Sequence, residues 1–297
     1  MAFFHICQVN PNPRIHVVSG YDEVTETVLW GLRSLGHAAS YAVNHFRPEA
    51  TNIIFGAHNM GPELLQSLRP DTIIYNLEQT YGLYEQELTE ENLVRIREFY
   101  DWSATNRTVW DYSLKNIEAA RSANPGANIH HVPIAYAPVL EKIQPAPEQD
   151  IDILFIGMPH EYRLGIYREL CERWLSATFV CGLYGESRNS LIARAKLVMN
   201  ISAGEDNSIF SVVRSSFFLA NRKAVVADVF PNMHIETDMR QAIRFATRDQ
   251  IAVACANLLA NEGERKALEE AGYETFKRRD IRSYLLRALT ASPLSSV

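Results

Sequence analysis

The stretch that decides the fold runs from Asp152-Ile-Leu-Phe-Ile-Gly157 to Ala224-Val-Val-Ala227. Both ends are short continuous apolar runs, the pattern of strands covered on both faces. Between them Tyr162, Ile166, Leu170 and Trp174 form one helical row, and Leu164, Tyr167, Cys171 and Leu175 a second, which predicts a well-packed helix over 160–175. Residues 177–181 and 197–201 read as further strands, 186–195 and 209–220 as helices. Alternation of this kind implies a mostly parallel sheet with right-handed crossovers.

In such sheets ligands sit beyond the carboxyl ends of the strands, and anions favour helix N-termini. The polar segment Asn200-Ile-Ser-Ala-Gly-Glu-Asp-Asn-Ser-Ile-Phe-Ser-Val-Val-Arg214 joins a strand to a helix at that edge. A helix starting at Ser208, Ile209 and Phe210 offers N–H groups to a diphosphate, and Arg214 one turn on can add charge-assisted bonds or serve as a salt-bridged surface residue. Glu205, Asn207, Gly157, Arg163 and Gly185 complete the donor candidates. Gly157, Gly182 and Gly185 permit close backbone approach, but they form neither a dinucleotide fingerprint nor a Walker loop.

Upstream, residues 137–150 carry three prolines that break the alternation. The expected organisation is a first domain over 1–140, a linker over 141–150, a second domain over 151–280, and a C-terminal helix over 281–297 free to pack back on the first domain.

The first domain repeats the α/β pattern. Strands are predicted over 3–9, 38–43, 52–55, 72–75, 102–104 and 129–134. A helix begins near Ser19, with Asp22 as its capping partner and Val24, Val28, Leu32 and Leu35 inward. His58, Asn59, Glu78, Gln79, Thr105 and Asn106 follow directly on predicted strands. Each residue type is also an ordinary turn or cap former, yet together they suggest a cleft lip, with Ser19 beside it. His16 is either a solvated loop histidine or a base. His130 and His131 are adjacent on one strand and point to opposite faces, so no metal site emerges.

At 297 residues, with 47% hydrophobic and 22% charged residues, the chain has room for two ordinary domains of a globular protein. A net charge of -6 gives no broad reason to bind nucleic acid or an anionic membrane. Cys7, Cys171, Cys181 and Cys255 lack zinc or redox spacing and read as buried free thiols. The N-terminus is strand-like, no run approaches a membrane span, and a cytoplasmic location is expected.

Several segments resemble the two-domain GT-B glycosyltransferases, in particular a bacterial CgeB-like or group 1 branch. They are Val109-Trp-Asp-Tyr-Ser113 with Asn116, Val132-Pro-Ile-Ala-Tyr-Ala-Pro138, Asp152-Ile-Leu-Phe-Ile-Gly157, and Arg214 through Leu219-Ala-Asn-Arg222 to Val225-Val226. The resemblance implies two Rossmann-like domains with mostly parallel sheets facing a central cleft, the first receiving an acceptor and the second a nucleoside diphosphate sugar. It implies donor contacts around Ser208, Ile209, Phe210 and Arg214, with no cofactor and no metal. The acceptor expected is a glycan, lipid-linked glycan or small metabolite. The carboxylate pair of the group is missing, since its positions fall on Ser208 and on Ser216 or Phe217; Glu205 and Asp206 lie just upstream. An inverting reaction needs a base from the first domain, for which His16, Asp22, His58 and Glu78 are the candidates. The alternative is a non-catalytic sugar-nucleotide binder or partner subunit of the same fold.

Overall fold

The computed structural model describes residues 1–12, 20–80, 90–204 and 209–291. The chain forms two compact units, Met1–Ala137 with the chain from Asp280, and Pro138–Arg279.

The first unit carries a six-stranded parallel sheet of order β2-β1-β3-β4-β5-β6. Its strands are β1 (Phe3–Gln8), β2 (Ala38–Val43), β3 (Thr51–Phe55), β4 (Ile73–Asn76), β5 (Thr108–Asp111) and β6 (Ile129–His131). The helices between them are α1 (Asp22–Ser34), α2 (Pro62–Ser67), α3 (Glu90–Asn106) and α4 (Leu114–Ala123). The central strands are buried on both faces, as their apolar runs require. α1 turns Val24, Val28, Leu29 and Leu32 inward and is followed by Gly36 at φ 83°, a left-handed stop that glycine adopts without a Cβ clash. His5 is a satisfied core residue, its ring nitrogens 2.8 Å from Ser40 Oγ and 3.0 Å from His45 O.

Residues 102–104 are not a strand. α3 continues to Asn106, and the strand falls at Thr108–Asp111, where a buried aspartate interrupts the apolar signal. The C-terminal helix α11 (Ile281–Ala291) lies against α1: a Cβ on Gly31 would stand 2.6 Å from Leu285 Cδ1 and 2.9 Å from Ile281 Cγ2.

The second unit has a five-stranded parallel sheet of order β11-β10-β9-β7-β8. It is built from β7 (Ile151–Ile156), α5 (Glu161–Glu172), β8 (Ala177–Val180), α6 (Gly185–Arg194), β9 (Ala195–Asn200), α7 (Val212–Ala220) and β10 (Ala224–Asp228). α8 (Met239–Ala242), β11 (Arg244–Ala246), α9 (Ile251–Ala260) and α10 (Glu262–Lys277) follow. The proline-bearing segment is clasped by buried Asn221, which donates to Leu140 O and accepts from the amides of Lys142 and Ile143. That satisfies backbone groups which prolines prevent from joining a sheet.

Trp174, expected to pack inward, is 95% exposed. α5 ends in a Schellman turn, with Leu175 N bonded to Leu170 O and Trp174 left-handed at φ 60°, which swings the indole outward. Cys7 and Cys255 are buried free thiols, whereas Cys171 and Cys181 are exposed. Asp249 precedes α9 without capping it; the cap position is Gln250.

Close approach of α10 to α7 and α8 depends on Gly272, whose added Cβ would meet Leu219 Cδ2 at 2.8 Å and Ala242 O at 2.9 Å. A backbone carbonyl cannot swing away as the side-chain tips facing Gly31 can. Denaturant unfolding is expected to show Gly272→Ala destabilised by about 1–3 kcal/mol and Gly31→Ala by less.

Candidate functional site

Two clusters gather at the carboxyl edges of the sheets, one in each unit. In the first, β5 ends on Asp111, which is fully buried and accepts four kinds of donor. Tyr100 Oη lies 2.6 Å away, Asn76 Nδ2 2.7 Å, Ser113 N 2.7 Å and Asn116 Nδ2 3.2 Å. Burial pushes the Asp111 carboxyl up to about 7, against the opposing pull of these donors.

The same two amides reach the loop after β4. Asn76 Nδ2 and Asn116 Nδ2 each donate to Glu78 O at 2.9 Å, and Asn116 Oδ1 accepts from Thr80 N. Asp111 thereby sets the path of the loop carrying Glu78 and Gln79. Glu78 Oε1 accepts from Tyr21 Oη at 3.1 Å. Burial and the neighbouring Glu78 push the Tyr21 hydroxyl upward, which keeps it a donor. Glu78 and His58 line one hollow with Tyr21, Gly56 and Phe99. His58 stands in a helical turn, Ala57–Asn59, that Gly56 enters at φ 72°. His58 Nε2 and Asn59 Nδ2 are 3.0 Å apart.

Of the other first-unit candidates, Asp22 opens α1 on the surface. Thr105 and Asn106 need correction. They end α3, ahead of β5, and so lie at the amino edge of the sheet; Asn106 Nδ2 bonds Trp102 O, and Thr105 Oγ1 accepts from Asn124. The misplacement follows from reading the aromatic end of α3 as a strand. His16 and Ser19 lie outside the described residues.

In the second unit β10 likewise ends on a buried carboxylate. Asp228 accepts from Ser202 N at 3.0 Å and from Ser202 Oγ at 3.1 Å, and burial raises it to about 6. Arg163, a donor candidate, is instead a buried clamp: Nε donates to Ile201 O and Ser202 O, and Nη1 to Met158 O. Gly157 is where that clamp passes, 3.7 Å from Arg163 Nη1 once a Cβ is added.

Helix α7 begins at Val212, not at Ser208. Ile209 bridges His234, and Phe210 is buried against Phe245, its amide bonded to His234 O at 3.0 Å. The short parallel pairing consumes the amide expected to face a phosphate. Arg214 was expected one turn into the helix; with α7 starting at Val212 it lies in the first turn. Asn200, ending β9, orients it: Nδ2 donates to Ser211 O and Ser215 Oγ, and Oδ1 accepts from Arg214 Nη1 at 2.8 Å. Gly185 opens α6 at φ 61° on the surface. Ser216 and Phe217 are both buried, and Ser216 Oγ is spent on Val213 O. Glu205, Asn207 and Ser208 lie outside the described residues. Among the described residues no three metal-ligating side chains gather, and no helix is long and apolar enough to cross a membrane.

Sequence reasoning passed over Asp111, Asn76, Asn116 and Asp228 as functional supports. The signal was available for Asp111: a carboxylate inside an apolar run must be buried with donors or end the strand.

Two outcomes follow. In the folded state Asp111 holds its proton to higher pH than in the unfolded chain, so its contribution weakens stability as pH rises from about 4 to 7. Asp111→Asn removes that dependence, and unfolding midpoints of the two proteins should diverge systematically across this window. Arg163→Met is expected to cost about 2–3 kcal/mol in the unfolding of the second unit, since three carbonyls lose a charged donor.

No family profile and no curated protein sequence matches the chain. Solved structures do. Sucrose-phosphate synthase from Thermosynechococcus elongatus aligns over 97% of this chain and 99% of its own, at 13% identity and a TM-score of 0.62. HepE of Anabaena, in complex with UDP and glucose, aligns over 98% and 100%, at 10% identity and a TM-score of 0.63. WaaG, a glycosyltransferase of lipopolysaccharide biosynthesis, aligns over 99% and 100%, at 11% identity and a TM-score of 0.58. Two parallel sheets with interleaved helices, matched end to end by these proteins, give the chain the GT-B glycosyltransferase fold.

Proposed function

We propose that the protein is a metal-independent glycosyltransferase that moves a sugar from a nucleoside diphosphate donor to a hydroxyl-bearing acceptor. The observation that carries this is Arg214, fixed by Asn200 in the first turn of α7 at the carboxyl edge of the second sheet. A helix start and a guanidinium together make a site for a diphosphate. HepE has been captured with UDP-glucose and with UDP, which makes UDP the first nucleotide to test.

In the reaction the bond from the sugar anomeric carbon to the diphosphate oxygen breaks, and the acceptor oxygen bonds that carbon. Negative charge builds on the departing diphosphate, where the α7 N-terminus and Arg214 stabilise it without reorganising. For an inverting reaction the acceptor hydroxyl must give up its proton. Glu78 and His58, which line one hollow, are the base candidates; Glu78 is the better held, by Tyr21 at its carboxylate and by two amides at its carbonyl. The first unit is accordingly the acceptor domain and the second the donor domain, in a cytoplasmic enzyme. Placement in the CgeB-like branch rests on the motif resemblance alone.

A second reading has its own support. The position of the family's second carboxylate falls on Ser216 or Phe217, both buried, which suits a sugar-nucleotide binder that does not turn over. Calorimetric titration with UDP, GDP, dTDP, CMP and ADP in EDTA separates the possibilities. UDP is expected to bind selectively in the micromolar range, and Arg214→Ala to weaken it roughly ten- to hundredfold. Absence of nucleotide binding by folded protein would overturn the donor assignment. Tight binding without transfer from UDP-sugars to any acceptor would favour the binder.

A further inference from the structure

Beside the Glu78 hollow lies a second and larger cavity of about 570 Å³, between the turn after β3, α2 and α3. Its volume falls in the range of small-molecule sites. Its walls are Met60, Leu65, Phe99 and Trp102, two aliphatic and two aromatic side chains. Polar groups stand among them: His58, Asn59, Gln66 and Glu98. Met60 and Leu65 belong to the buried core of the unit, with Phe99 and Trp102 packed against it, so the walls are anchored.

Among the described residues no lysine or arginine lines this cavity. Arg107 comes within 5.2 Å of the Trp102 ring, but its guanidinium is held by Leu68 O and Asn106 O. Among the described residues an anion placed here would meet Glu98 and no lysine or arginine, which disfavours phosphorylated occupants. Flat apolar rings are favoured, because Phe99 and Trp102 offer faces or edges for aromatic packing. His58 lines this cavity as well as the smaller hollow beside it, so a polar end of an occupant would meet the His58 ring.

We propose that this cavity binds a neutral, ring-bearing molecule with a free hydroxyl, its rings between Met60, Leu65, Phe99 and Trp102 and its hydroxyl towards His58. The role as the acceptor's aglycone site rests on the glycosyltransferase reading; the binding itself does not.

Naphthol and naphthyl phosphate test this as a matched pair, sharing a ring and differing in charge. Calorimetry and tryptophan fluorescence on the full chain should show saturable binding of naphthol, with naphthyl phosphate roughly tenfold weaker or worse. Gly61→Phe provides the second arm. Gly61 has ordinary extended backbone, φ −68° and ψ 152°, and nothing lies within 4 Å of an added Cβ, so the benzyl group has room in the cavity without backbone strain. The variant is expected to keep the wild-type circular dichroism and to lose naphthol binding at least roughly tenfold. Equal or tighter binding of naphthyl phosphate, no binding of naphthol, or undiminished binding by folded Gly61→Phe would each overturn the proposal. Should the variant not fold, the contrast between the two probes on the unmodified protein decides alone. UDP titration of the same sample keeps the two readings apart: naphthol binding without UDP binding sustains the cavity and removes the donor site, and the reverse removes the cavity.

Discussion

A parallel sheet covered on both faces leaves its polar business to the edges, and here each sheet settles it with one buried carboxylate. Asp111 is the last residue of β5 and holds the loop leaving β4; Asp228 is the last residue of β10 and holds the loop leaving β9. In both cases a strand end reaches sideways to the adjacent crossover. A buried carboxylate costs several kcal/mol unless donors surround it, so each recruits a dense set of amides and hydroxyls. Two of the donors, Asn76 and Asn116, also reach the Glu78 carbonyl in the loop after β4. Both carboxyls stand at the edge where ligands bind in such folds and are displaced upward towards neutral pH by burial.

How far the sequence disclosed this depends on the element. The strands of the second unit were legible because nothing competes with a continuous apolar run such as Ile153-Leu-Phe155. β5 was not, because only Val109 and Trp110 are apolar within it before Asp111 ends it, while the aromatic end of α3 supplied a rival strand signal just upstream. What decided between them was tertiary: Tyr100, on α3, reaches the Asp111 carboxylate. Local propensity carries no information about a partner eleven residues away.

The same distinction applies to the site. Glu78 and His58 stand at the carboxyl edge of the first sheet, as residues following strands must whatever their neighbours do. Arg163 was found in the right place and given the wrong task; only the three carbonyls around it reveal a clamp. Ile209 and Phe210 were misread because helix periodicity continued backward through them, whereas the pairing of Ile209 with His234 holds that segment extended. A helix that starts at Val212 carries its dipole end to Val212, away from Ile209 and Phe210.

The two edges differ in charge in a way that bears on what each can hold. The second unit places Arg163, Arg214 and Arg248 around its carboxyl edge, held by the Ile201 and Ser202 carbonyls, by Asn200 and by Glu169 respectively. The hollows of the first unit are lined by Glu78, Glu98, His58 and aromatic rings, with no arginine or lysine among the described residues. On the reading proposed above, charge of this kind favours an anion at the edge of the second unit over the hollows of the first.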